Sequence, residues 1–88
     1  MIIYLTEQQA SELRLELYPE VVRSCFYLGF NYSFTHKLVN DPTRVAERTS
    51  VVDMARSLGM SGDYVLAVRL PGESKDSTDI RSLPDDNH

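Results

Sequence analysis

The sequence predicts a small, mainly α domain, and three observations carry that expectation. In 49–70, TSVVDMARSLGMSGDYVLAVRL, the apolar residues Val51, Met54, Ala55 and Leu58 recur at i, i+3, i+4 and i+7, the spacing of one buried helical face. In 20–30 the apolar residues cover much of a helix circumference, the profile of a buried central helix. After Pro71-Gly72 the chain turns to Ser, Asp, Thr and Pro, which leaves about 70 residues to build one core. An α+β alternative stands beside this: the same helices covered by a short two-stranded sheet from 2–5 and 64–70.

Taken in order, 1–5 is a brief apolar run with β-branched and aromatic residues, read as a strand or a packed arm. Thr6 before Glu7-Gln8-Gln9 marks a helix start, a hydroxyl cap followed by a carboxylate at the positive end of the helix dipole. Ala10, Leu13 and Leu17 then share a face, and the helix is expected to end near Tyr18, because Pro19 disfavours a helical residue before it. Pro19 itself suits the first turn of the next helix, where its missing N–H is no loss. Residues 33–39 predict a further helical turn with Phe34 and Leu38 paired at i, i+4. Asn40-Asp41-Pro42-Thr43 is a turn that doubles as a helix entry, Asp41 as cap and Pro42 as first residue. The helix that follows either runs unbroken to Leu58 or restarts at Thr49-Ser50, with Gly59 ending it. Leu58 is expected to be among the most deeply buried residues.

Residues 1–70 therefore read as a single domain and 71–88 as a disordered acidic tail. The net charge is −4, and most of the acidity lies outside the central stretch. Between residues 34 and 70, Lys37, Arg44, Arg48, Arg56 and Arg69 outnumber the acids by one, so the overall balance does not exclude a nucleic acid partner. The single cysteine, Cys25, rules out an intrachain disulfide framework, and among Val21, Val22, Phe26 and Leu28 it reads as a small core residue. No run approaches the roughly 18 apolar residues of a membrane span. MIIYLTEQQ lacks the basic leader of a secretory signal, so a cytoplasmic setting is expected.

No catalytic constellation stands out. His36 and His88 are the only histidines, no spacing matches a zinc site, and Gly59-Met60-Ser61-Gly62 lacks the Lys-Ser/Thr pair of a phosphate loop. No enzyme activity, cofactor, metal or small-molecule substrate is expected. Phe26, Tyr27, Phe30, Tyr32 and Phe34 read as core, with the hydroxyls of Tyr27 and Tyr32 favouring half-exposed places at an interface.

Residues 51–70 resemble the generic helix-turn-helix of DNA-binding regulators. Ala55 is the small residue where two helices cross, Gly59 the turn glycine and Met60 the apolar residue after it. Val65 and Val68 are the inward residues of a second helix, and Met54 and Leu58 complete the pair. No particular family is identified. The resemblance implies a recognition helix over 61–70 with Ser61 at its reading end, and a homodimer on paired half-sites. Lys37, Arg44, Arg48, Arg56 and Arg69 would then hold phosphates. The sequence departs from the pattern at Ser61, Gly62, Asp63, Leu66 and Ala67, where outward Arg, Lys, Asn or Gln would serve base reading.

The same residues fit a strand. Tyr64, Leu66, Val68 and Leu70 alternate with Val65, Ala67 and Arg69, and turn residues bracket them. Function follows this fork. A helix makes the chain a small dimeric DNA-binding transcriptional regulator, the reading placed first. A strand makes it a protein-interaction module (an inhibitor, antitoxin-like partner or adaptor) that works through Tyr27 and Tyr32 or an exposed sheet edge.

Overall fold

The computed structural model describes residues 2–69. The tail expected from residue 71 lies outside them. The elements are β1 (Ile2–Thr6), α1 (Glu7–Glu12), α2 (Pro19–Leu28), α3 (Tyr32–Asn40), α4 (Val45–Ser57) and β2 (Val65–Arg69). The fold is mainly α with a small sheet.

Local sequence explains most of the boundaries. Thr6 Oγ1 accepts from Gln9 N–H while Gln9 Oε1 accepts from Thr6 N–H, a reciprocal capping box that starts α1. Pro19 occupies the first turn of α2, as expected. Asn31 caps α3, its Oδ1 accepting from Phe34 N–H at 2.8 Å. Gly59, at φ 109°, closes α4: its N–H reaches Arg56 O at 3.1 Å and Met60 N–H reaches Ala55 O at 3.0 Å. A side chain there would strain the left-handed backbone, and its Cβ would sit 3.4 Å from the Tyr27 hydroxyl.

Three expectations are corrected, and one open alternative is decided. First, α1 stops at Glu12 instead of near Tyr18. Arg14 takes φ 51° and Leu15 N–H returns to Ala10 O, so the chain turns early and leaves Leu17 59% exposed. Second, α4 is one helix, with Thr49 and Ser50 in its interior; it starts at Val45, not Pro42. Asp41 instead ends α3, and its Oδ1 accepts from Thr43 N–H and Oγ1. Third, the buried stripe of α4 is Arg48, Val51 and Ala55, at i, i+3 and i+7. Leu58 is 63% exposed and Met54 48%, because the helix turns that flank away from α2.

Fourth, the segment read as a second helix forms β2. The chain adopts the sheet alternative, with strands at Ile2–Thr6 and Val65–Arg69. Once Gly59 has ended α4, β1 offers a row of backbone partners, and Val65, Leu66 and Val68 suit a pleated surface better than a short helix. The strands pair in parallel, Ile2 with Val65, Ile3 with Leu66, Tyr4 with Ala67, Leu5 with Val68 and Thr6 with Arg69. A parallel pair needs a long crossover, and the four helices provide it. Ile3, Leu5, Leu13, Val22, Cys25 and Leu38 are fully or almost fully buried between sheet and helices. Among the helices, α2 and α4 pack most extensively against each other.

Candidate interaction surface

The sheet has one covered face and one open face. Ile3 and Leu5 point into the core at 1% and 0% exposure, and the register puts Leu66 and Val68 on the same side. Ile2, Tyr4 and Thr6 therefore share the outer face with Val65 and Ala67. Ile2 is 51% exposed and Val65 42%, while Tyr4 and Ala67 are half-buried. The result is a contiguous apolar patch. Parallel strands are normally covered on both faces, and their sequences run apolar without alternation. Both strands here have that character, IIYL and VLAV, yet Ile2 and Val65 on the outer side stay exposed.

The two tyrosines expected at an interface are drawn into the fold at separate places. The Tyr27 hydroxyl donates to Leu58 O at 3.0 Å, and its ring meets Tyr64 edge-on with centroids 5.6 Å apart. That contact fastens the end of α4 and the start of β2 to α2. The Tyr32 hydroxyl donates to the Glu12 carboxylate, and its ring stacks on His36. This bond, with one from Gln8, holds the Glu12 carboxyl below its ordinary pKa.

The basic residues are dispersed and largely engaged. Arg44 bridges Asp41 at 3.2 Å and Glu47 at 3.0 Å, and Arg56 pairs with Glu20 at 2.7 Å. Arg48 is only 8% exposed. Its Nη1 donates to Leu38 O at 2.9 Å and Asp41 O at 3.0 Å, and its guanidinium lies 4.7 Å from the Tyr18 ring centroid. Leu38 O would normally accept from the residue four places on, but that residue is Pro42, which has no N–H. Arg48 supplies the missing donor and sets a positive charge at the negative end of α3. Lys37 is exposed in the last turn of α3, Ser61 Oγ accepts from Asp63 N–H, and Arg69 ends β2 opposite Thr6.

An open groove of about 520 Å³ separates the start of α2 from α4, lined by Tyr18, Val21, Val45, Arg48 and Val52, with Glu20 and Arg56 among its charged residues. Burial pushes the Cys25 thiol up to about 11, so it stays protonated at neutral pH. Among the described residues no three His, Cys, Asp or Glu converge on a metal-sized site, and no helix is long and apolar enough to cross a membrane.

No family model, curated protein or solved structure matches the chain. The outer sheet face is a surface that sequence reasoning missed. Its signal was legible in the unbroken apolar runs of 2–5 and 64–68, which alternate too little for a sheet with one wet face.

Proposed function

We propose that the chain is a small non-enzymatic protein-interaction module, working in the cytoplasm, that receives an amphipathic helix of a partner protein on the outer face of its sheet. The observation that carries this reading is the open apolar face of Ile2, Tyr4, Val65 and Ala67 on a parallel pair of strands. Size supports the choice of occupant. Two strands about 4.8 Å apart and five residues long, at about 3.3 Å each, present a strip roughly 10 Å wide and 16 Å long. That matches about three turns of one helix roughly 10 Å across. Such a helix would give the sheet the second layer that parallel strands ordinarily have.

The test is a photo-crosslinking residue placed at Val65, with exposed Glu16 as control, in the full chain expressed in its native host. A discrete adduct at Val65 to a protein other than a second copy of this chain, absent at Glu16 and abolished by Ile2→Lys, supports the reading. The absence of any such adduct at Val65, with only crosslinked copies of this chain or none, overturns it. The DNA-binding class makes a different forecast: binding of duplex DNA at low salt that weakens steeply as salt rises. It would require Arg44 and Arg56 to exchange Asp41, Glu47 and Glu20 for phosphates, and it needs a reading element other than a helix over 61–70, where the chain forms β2.

A further inference from the structure

The two strands of the sheet are covered unequally, although their inward residues lie in the same rows. Leu5 is 0% exposed, whereas its register partner Val68 is 39% exposed. Ile3 is 1% exposed, whereas Leu66 beside it is only half-buried. The difference is lateral. Among the described residues β2 has a neighbouring strand on one side only, and its inward side chains are the less covered ones. Among the described residues the other edge of β2 is unpaired, and before the terminal Arg69 the strand holds no charge, no proline and no bulge.

We infer that the free edge of β2 pairs with β2 of a second copy, antiparallel about a dyad at Ala67, to give a four-stranded sheet in the order β1-β2-β2-β1. The strand is complementary to itself in this register. Ala67 meets Ala67, the smallest side chain of the strand where the copies cross. Leu66 faces Val68 of the other copy, twice, on the inward side, so the two under-covered residues cover each other beneath the sheet. A register shifted by one residue would set inward residues against outward ones and lose all of this. A dyad perpendicular to the sheet leaves both helical layers on one side and both outer faces on the other. The pairing therefore uses the edge and leaves the face to the partner helix; it does not depend on that reading.

The experiment is sedimentation equilibrium of the full chain, with disulfide trapping of Ala67→Cys under a mild thiol oxidant. Opposed residues of an antiparallel pair have Cα atoms about 4.5–5.5 Å apart, inside the range a disulfide spans. Cys25 is fully buried and does not compete. A concentration-dependent dimer is expected, with Ala67→Cys captured as a covalent dimer far faster than a Val45→Cys control on α4. Val68→Lys sets two cations under the sheet at a position the monomer already exposes, and should weaken dimerisation by at least about tenfold while helix content is kept. A wild-type chain that stays monomeric at high concentration overturns the proposal. A dimer in which Ala67→Cys traps no faster than Val45→Cys overturns it equally, since the copies would then meet elsewhere. Either result leaves the Val65 crosslinking test of the outer face untouched.

Discussion

Replacing Arg48 with methionine should be among the most damaging single changes in this domain, although a basic residue in a polar stretch of sequence looks expendable. The side chain keeps its length and apolar stem but loses its charge and its donors. Two hydrogen bonds disappear, Nη1 to Leu38 O and Nη1 to Asp41 O. Bonds from a charged donor contribute about 1.5–3 kcal/mol each. The stack on Tyr18 adds about 1 kcal/mol. Against this, the variant no longer has to desolvate a guanidinium, which returns part of the loss. Asp41 O retains another donor in Arg44 N–H at 3.1 Å, but the Leu38 carbonyl loses the group that stands in for the N–H Pro42 lacks. The net expectation is a loss of about 3 kcal/mol, or a fall in Tm of roughly 12–24 °C for a domain of this size. Urea unfolding followed by circular dichroism measures it directly as a lower midpoint at unchanged slope. Arg48→Lys separates the explanations: it keeps the charge a phosphate contact would need but loses the planar fork, and should still cost about 1–2 kcal/mol. Stability of Arg48→Met within about 0.5 kcal/mol of the parent would refute the structural role and return Arg48 to the candidate solvent-facing cations.

Three further outcomes are expected. Leu58→Ala should change stability by less than about 1 kcal/mol, since the side chain is 63% exposed, while Leu13→Ala, at a residue with 0% exposure, should cost about 2–5 kcal/mol in the same denaturation assay. Arg14→Gly should stabilise by about 0.5 kcal/mol and Arg14→Val should destabilise by about 1 kcal/mol or more, because φ 51° suits glycine and penalises a β-branched side chain; equal effects would show that the turn does not hold that backbone in solution. The Asp41 carboxyl is held down to about 2, first by the hydroxyl and N–H of Thr43 and then by Arg44. A carboxyl depressed in the folded state stabilises above its unfolded value near 3.8 and loses that contribution as pH falls towards 2. Asp41→Asn should therefore flatten the fall of the urea midpoint between about pH 4 and pH 2; an unchanged acid profile would contradict the bonds drawn to Thr43.

Much of the helical framework was legible from the chain alone, because helix starts and stops are local. The Thr6 cap with Gln9 three residues on, Pro19 in a first turn, and Gly59 as a left-handed stop each depend on a few neighbouring atoms. The buried central helix was legible as well: Val21, Val22, Cys25 and Phe26 are all in the core. Periodicity also marked 64–70 as apolar, but it fitted two templates. Only β1, some sixty residues away, decided for the strand by offering a ladder, and only the crossover through four helices made that ladder parallel. The same limit explains α4 and Arg48. Spacing establishes that a helix has an apolar stripe, while the rotation of that helix is set by the surface of α2 against it, which buried Val51 and Ala55 and left Met54 and Leu58 outside. Nothing in the spacing around Arg48 announces that its guanidinium replaces the donor that Pro42 denies to the Leu38 carbonyl, ten residues before Arg48. Local chemistry fixes where elements begin and end; which faces they bury is decided by what the rest of the chain brings alongside.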